Sequence, residues 1–258
     1  MTRRYVITGG GTAGHTNPGI AVAEALVAAG IARADVHFVG ARRGNEATLV
    51  PAAGFSIDVL PGRGIERRIS LAAIGAVLGL VQGALLGFWF VLRHRPKAVL
   101  CLGGYAAAAV SLAAVALRVP VVVTEQNAKA SAVNRLIGRW ARSCALPFPE
   151  TDLPKGVVTG NPSLAAVVDA VEAGDRARAR ETLGLPQDRV VVGIWSGSLG
   201  ATSVNTVARE LALRWADRTD VAVRHVVGRR DWSRFATPPP EVEAGALVLD
   251  QLIDEGAG

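Results

Sequence analysis

A chain of 258 residues, half of them hydrophobic and only 5% aromatic, can bury one large core or two modest ones. Its richness in Ala, Val, Leu and Gly favours a sheet covered by close-packed helices over an all-β barrel. The formal charge of +6 comes from scattered residues, Arg far ahead of Lys, so phosphorylated ligands or an acidic membrane surface explain it at least as well as nucleic acid. Cys101 and Cys144 lie in apolar strand-like runs without any CxxC or Cys/His spacing, and read as buried free thiols of a cytoplasmic protein with no metal site. Met1 leads directly into a strand with no apolar leader, so no signal peptide is expected.

Residues 5–8, Tyr5-Val6-Ile7-Thr8, predict a first strand that breaks into Gly9-Gly10-Gly11-Thr12-Ala13-Gly14-His15 and restarts as a helix over 19–29. A strand, glycine and helix sequence of this kind leaves backbone N–H groups unpaired with the positive end of a helix dipole behind them, an anion site most often used for phosphate. Thr12 adds a hydroxyl, and His15 a ring that can donate, accept or carry a proton. Further short apolar strands are expected at 36–39, 55–60, 98–102, 119–123, 143–146 and 156–159, with helices near 45–52 and over 69–93, 107–117 and 132–141. Such alternation means a parallel sheet buried on both faces and wound by right-handed crossovers, a Rossmann-like domain over 1–163.

Ligands of such sheets gather at the carboxyl ends of the strands. Gly103-Gly104-Tyr105 follows the fourth strand, Thr124-Glu125-Gln126-Asn127 the fifth and Gly160-Asn161-Pro162 the seventh, so these loops share an edge with the opening glycines. Glu125 could act as a general base or cap the next helix, and its polar neighbours favour ligand binding. Residues 164–188 read as a linker helix and turn. An incomplete second Rossmann-like unit over 189–258 begins with a strand at 190–195, turns through Ser196-Gly197-Ser198-Leu199-Gly200-Ala201 into a helix at 203–215, and adds strands at 221–227 and 246–249.

Residues 69–92 contain no charge and are flanked by Arg67, Arg68, Arg93, His94 and Arg95, long enough to suggest a membrane span. Spanning would put the strands at 5 and 98 on opposite sides of a bilayer although both fit one parallel sheet. The expectation is therefore that Gly75, Gly79, Gly83 and Gly87 pack on the sheet. Leu78, Leu85, Phe88, Trp89 and Phe90 then form an apolar surface that dips among lipid headgroups, with the Arg residues meeting anionic lipids. An ordinary buried helix is the alternative.

Gly9, Gly11 and Gly14 match the G-x-G-x-x-G dinucleotide fingerprint. The acidic residue expected at the end of the second strand is missing from His37-Phe38-Val39-Gly40-Ala41, while Arg42 and Arg43 could read a 2′-phosphate, which keeps an NADP-dependent oxidoreductase open. His37, His94 and His225 have no metal-ligand spacing and read as structural.

Taken in order, Gly10-Gly11-Thr12-Ala13-Gly14-His15 with Pro18-Gly19, Gly103-Gly104-Tyr105, Glu125-Gln126-Asn127, Gly160-Asn161-Pro162 and Gly197-Ser198-Leu199-Gly200-Ala201 resemble the MurG family of GT-B glycosyltransferases. That family moves N-acetylglucosamine from UDP-GlcNAc onto undecaprenyl-diphosphate-linked N-acetylmuramoyl pentapeptide in peptidoglycan synthesis. The resemblance implies an α/β GT-B fold of two Rossmann-like domains, the first taking the lipid acceptor and the second the nucleotide sugar. It implies no flavin, nicotinamide or metal cofactor, no nucleic-acid partner, and a peripheral place on the cytoplasmic face of an anionic membrane. By the same resemblance His15 and Glu125 are candidate catalytic groups, and Gly11, Thr12, Ala13 and Gly14 contact diphosphate and sugar. Gly104, Tyr105, Gln126, Asn127 and Asn161 are implied substrate contacts, Asn127 to the donor sugar, and Ser198 and Gly200 are implied contacts to the nucleotide phosphates.

The transfer needs a base for the acceptor hydroxyl and N–H donors for the departing UDP. Thr124 stands where the family usually has His, Leu164 where it has Arg, Leu199 where it has Gln, and an alanine run from Ala106 to Ala109 replaces a small hydroxyl. The family's loop and helix for uracil, ribose and donor sugar, with the carboxylate for the ribose diol, have no counterpart in these residues. A short or fragmentary transferase is therefore expected, with a non-catalytic polyprenyl-diphosphate-binding module as the alternative.

Overall fold

A computed structural model describes residues 5–11, 13–42, 44–61, 71–196, 200–238 and 247–250, with backbone alone at 13, 71–80, 247, 248 and 250. The chain forms two compact units, Met1–Ala165 and Ala166–Gly258. In the first, β1 (Tyr5–Thr8), α1 (Ala13–Ala28), β2 (Val36–Ala41), α2 (Glu46–Ala52), β3 (Ser56–Leu60) and α3 (Leu71–His94) are followed by β4 (Ala98–Cys101), α4 (Tyr105–Ala116), β5 (Val121–Thr124), α5 (Ala132–Gly138), β6 (Ser143–Leu146) and β7 (Gly156–Val158). The seven strands form one sheet in the order β3-β2-β1-β4-β5-β6-β7, every pair parallel.

Alternate residues of each strand serve opposite faces. Val6, Val39, Val99, Cys101, Val121 and Val123 pack with Ala107, Val110 and Ala114 of α4, whereas Ile7 and Phe38 pack with Ile20 and Ala23 of α1 and Val50 of α2. Burial on both faces is why the strands read as continuous apolar runs. Both cysteines are free and buried, and burial pushes the Cys101 thiol up to about 11.

Helix α1 starts at Ala13, six residues before the expected position, and carries Pro18 inside it. Proline cannot donate to the carbonyl four residues back and crowds it. Here that residue is Gly14, which has no side chain to add to the crowding. The stretch expected as a linker holds two short helices, α6 (Ala165–Ala173) and α7 (Arg176–Thr182), parted by Gly174 at φ +61°, and falls in the second unit from Ala166 on. Arg180 Nη1 then closes the turn by donating to the carbonyls of Pro186 (2.7 Å), Gln187 (3.1 Å) and Arg189 (2.8 Å).

The long apolar run is α3. It leaves β3 and returns to β4 in the same sheet, and among the described residues no helix is long and apolar enough to cross a membrane. Gly83 and Gly87 do not face the sheet as expected. A Cβ on Gly83 would strike the Tyr105 hydroxyl, and one on Gly87 would lie 3.3 Å from the Ala109 backbone, so these two glycines seat α3 against α4. The reason is that α4, with Ala106, Ala107, Ala109, Ala113 and Ala114 buried, already covers the sheet and offers a small-residue flank to α3. Phe90 is also turned inward, between the rings of His37 (5.8 Å) and His94 (4.8 Å), and leaves the expected apolar surface. Leu78, Gly75 and Gly79 lie where the backbone alone is described. On the outer side Val81, Leu85, Phe88 and Trp89 are exposed, Trp89 to 62%, so α3 is not an ordinary buried helix.

The second unit holds β8 (Val190–Trp195), α8 (Thr202–Arg214), β9 (Val221–Val226), α9 (Trp232–Phe235) and β10 (Leu247–Asp250), with the strands parallel in the order β10-β9-β8.

Tyr105 donates its hydroxyl to Pro61 O (3.1 Å) directly against Gly83. Gly83→Ala should therefore cost about 1–3 kcal/mol by overpacking, despite the better helix propensity of Ala. In urea melts, the cost should shrink when combined with Tyr105→Phe, because the colliding oxygen is then gone. Equal costs in both backgrounds would show that the two residues are not coupled.

Candidate functional site

Strand order reverses between β1 and β4, and a doubly wound sheet opens its ligand crevice at the carboxyl ends of the strands at such a point. The loops there touch through glycine backbone. A Cβ on Gly9 would lie 2.7 Å from Gly103 O, and one on Gly104 3.1 Å from Gly10 O. Gly9, Gly10 and Gly11 take φ of +137°, +133° and +100°, values that L side chains rarely adopt. Gly11 itself is exposed, with open space beside its Cα. Ala13 and Gly14 open α1 and place His15, half-buried, in its first turn, where helix N–H groups have no partner within the helix. Thr12 lies outside the described residues.

One residue of this corner escaped the sequence reading. Glu46, on the first turn of α2, is 1% exposed, and its Oε2 accepts from Gly11 N–H (2.7 Å) while its Oε1 accepts from Ala41 N–H (2.8 Å). A Cβ on Gly10, Gly40 or Gly44 would run into its side chain. Two glycines shortly before it in the chain, Gly40 and Gly44, were the available signal, since close-set glycines beside an acidic residue make room for a buried side chain.

At the end of β5, Glu125 is 1% exposed and saturated with donors. Oε1 accepts from Gln126 N–H (3.0 Å), Asn127 N–H (3.0 Å) and Asn127 Nδ2 (2.8 Å), and Oε2 from Ser131 N–H (2.9 Å) and Asn134 Nδ2 (2.9 Å). Burial alone would raise its pKa, but these hydrogen bonds, led by that of Ser131, outweigh it and hold the carboxyl below its ordinary value. A carboxylate with this many donors and a lowered pKa is a poor proton acceptor, so the structure corrects the catalytic reading of Glu125 and makes it the post that fixes its loop. Asn134, fully buried, extends the post: its Nδ2 also donates to Thr124 O (3.1 Å), and its Oδ1 accepts from the Cys101 thiol (3.5 Å).

The other expected contacts divide. Asn127 is exposed with its amide nitrogen held by Glu125, and Asn161, also exposed, donates to Gln126 O (3.3 Å), so Gln126, Asn127 and Asn161 share one corner. Gln126 Nε2 donates to Thr124 O (3.2 Å), while its Oε1 has no hydrogen-bond partner among the described residues. Gly104 lies at the crevice. Tyr105 places its hydroxyl on Pro61 O, just past the end of β3, and against Gly83 of α3, with its pKa raised by burial, and so ties α4 to α3.

In the second unit, Ser198 lies outside the described residues, and Gly200, at φ +80°, abuts Val227 O so closely that a Cβ would strike it. A buried network lies behind it. His225 Nε2 meets Asn205 Oδ1 (2.9 Å), Asn205 Nδ2 donates to Val227 O (3.0 Å) and Asp231 Oδ2 (3.0 Å), and Thr202 Oγ1 donates to Asp231 Oδ2 (2.7 Å). Because Asn205 Oδ1 can only accept, this geometry assigns the ring proton to Nε2. Burial lowers the His225 pKa, which favours the neutral ring. Among the described residues no group of three or more His, Cys, Asp or Glu is placed to hold a metal ion.

The lowered pKa of Glu125 means that the folded state binds its proton less readily than the unfolded chain. Its stabilisation is complete above the unfolded value of about 4.3 and is lost as pH falls through the folded value. Glu125→Gln, which turns an NH₂ toward N–H donors, should cost about 3–5 kcal/mol at pH 7. In denaturant melts from pH 7 to 3 the gap to the parent should narrow below about pH 4. A gap independent of pH would show that Glu125 is not ionised in the folded chain.

Residues 5–146 match the glycosyltransferase family 28 N-terminal domain. Two curated UDP-N-acetylglucosamine–N-acetylmuramyl-(pentapeptide) pyrophosphoryl-undecaprenol N-acetylglucosamine transferases are similar over most of the chain. The one from Acetivibrio thermocellus is 34% identical over 97% of this chain and 68% of its own length, and that from Symbiobacterium thermophilum 38% identical over 88% and 60%. The chain thus spans about three fifths to two thirds of the length of these relatives. Among solved structures, Acinetobacter baumannii MurG shares the fold at a TM-score of 0.65 and 22% identity over 98% of this chain and 70% of that one. UDP-GlcNAc 2-epimerase from Neisseria meningitidis, solved with UDP-GlcNAc, shares it at 0.63 and 12% identity, over 98% of this chain and 73% of that one. With its family-28 domain and its GT-B relatives, the chain belongs to the MurG family of glycosyltransferases.

Proposed function

We propose that this protein transfers N-acetylglucosamine from UDP-GlcNAc to undecaprenyl-diphosphate-linked N-acetylmuramoyl pentapeptide, working peripherally on the cytoplasmic face of the membrane. The observation that carries the reading is the placement of His15 in the first turn of α1 beside the touching glycine loops of β1 and β4, in a chain of this family. The first unit takes the lipid-linked acceptor, whose diphosphate meets the positive end of the α1 dipole at its first turn and the Thr12 hydroxyl. His15 accepts the proton of the attacking acceptor hydroxyl as its oxygen bonds to the sugar carbon and the bond from that carbon to UDP breaks. Glu125 does not react. It orients the loop of Gln126 and Asn127, and the exposed Asn127 contacts the donor sugar. In the second unit Ser198 and the Gly200 turn receive the phosphates of UDP, the leaving group.

The exposed face of α3 supports membrane association. Val81, Leu85, Phe88 and Trp89 recur at helical spacing on one side, and exposed Arg93, Arg95 and Lys97 follow at its carboxyl end. Apolar side chains entering the headgroup layer beside cations that attract anionic lipid are what an interfacial helix requires.

Transfer of labelled N-acetylglucosamine to the lipid-linked acceptor is the direct measurement. The parent chain should show it, and His15→Ala should lower it by roughly 10²- to 10⁴-fold with the fold retained; no transfer above background by the parent would remove the activity from this polypeptide. In co-sedimentation with anionic vesicles, Trp89→Asp should release the protein, and equal binding by a folded Trp89→Asp variant would exclude this face.

A further inference from the structure

The second glycine of a G-x-G-x-x-G turn is the one whose backbone approaches the pyrophosphate of a dinucleotide. Here that residue is Gly11, and its N–H is already bound, at 2.7 Å, by Glu46 Oε2. The other oxygen of the same carboxylate takes Ala41 N–H at the end of β2, and the side chain is sealed among Gly10, Gly40 and Gly44. We propose that Glu46 is a built-in anion: its carboxylate occupies the seat that a dinucleotide pyrophosphate would use, and by binding the end of β2 and the loop after β1 at once it sets the position of the glycine loop and of His15 on α1.

The parts fit this role better than that of a simple helix-capping residue. A buried carboxylate is tolerated only where it is hydrogen-bonded, and its two oxygens here receive short N–H bonds from the end of β2 and from the loop after β1. Three glycines clear the space it fills, and two of them, Gly40 and Gly44, lie in the same stretch of chain as Glu46. With Glu46 in place, a second anion at Gly11 meets a negative charge and an N–H already spent. A diphosphate must therefore bind further along, at the first turn of α1, where His15 lies. This accounts for a chain that carries the dinucleotide spacing yet lacks the carboxylate expected at the end of the second strand: the acidic residue is present five positions beyond Ala41 and points back into the loop. Glu46 is a positioning residue. His15 as the reacting base rests on the transferase reading above; the seat does not.

The test uses formate as a free carboxylate. In Glu46→Ala the emptied seat should bind formate, and titration should raise the Tm by about 2–4 °C while the parent, whose seat is filled, gains nothing. With four histidines in the chain, the ring signals of His15 can be followed by NMR, with His225 of the second unit as the internal control. They should move in Glu46→Ala and return as formate saturates. Glu46→Gln keeps the seat filled but turns an NH₂ onto one N–H, so its His15 signals should move and formate should not restore them. If Glu46→Ala does not fold, Glu46→Gln alone decides.

A Glu46→Ala variant indifferent to formate would overturn the seat, and unmoved His15 signals in either folded variant would overturn the positioning role. Loss of transfer by the parent chain would remove the proposed function and leave both of these outcomes readable.

Discussion

At the carboxyl edge of a parallel sheet the strands stop while their backbone donors do not, and each buried N–H left there needs an acceptor. In the first unit two buried carboxylates supply it. Glu46 joins the end of β2 to the loop after β1, and Glu125 gathers the loop after β5 and the start of α5. The loops so held carry the proposed substrate contacts. Their shape is set from inside the sheet edge by fixed negative charge, and the surface they present is one of amides, glycine backbone and a histidine.

That division explains why acidic residues near a strand end mislead. A carboxylate that has given both oxygens to N–H groups is stabilised in its charged form, which is what a structural anion needs and what a base does not. Asn134 shows the same logic at the next remove: fully buried, it spends its amide on Thr124 O and Glu125 and its carbonyl on the Cys101 thiol, so the ends of β4 and β5 are tied through one side chain. Substitution in such a network leaves buried donors unpaired, and this cost, more than any lost attraction, makes these positions intolerant.

Strand positions in the first unit were legible because short β-rich apolar runs bounded by turns have few alternative readings, and their order followed from the crossover rule. Helix starts were less so. The first helix was expected only from residue 19, yet α1 begins at Ala13 and carries Pro18 inside it, with Gly14 at the carbonyl it crowds. The glycine row of α3 was visible as spacing, but a run apolar on all sides carries no moment to say which neighbour the row meets. The answer depended on α4, whose alanines take the sheet and leave Tyr105 and Ala109 for α3. For the candidate site, the loops were legible and the roles were not. A carboxylate near a strand end has the same letters whether its oxygens face solvent or five donors, and Glu46 lay in a stretch read only as a short helix.

The second unit applies the same principle with a different acceptor set. Gly200 is pressed against Val227 O, and the first turn of α8 is joined to the end of β9 and the loop after it by Thr202, Asn205, His225 and Asp231 rather than by one carboxylate. Asn205 can satisfy this set only if His225 donates through Nε2, and burial, by lowering the His225 pKa, favours the neutral ring. Acid therefore acts on both units in the same direction and through opposite charges. Below its unfolded value of about 6.5 the second unit must hold a histidine neutral that the unfolded chain would protonate, and below about 4.3 the first must hold a carboxylate ionised that the unfolded chain would neutralise. The strand-end networks that fix the loops are thus the parts of the fold through which falling pH first reaches them.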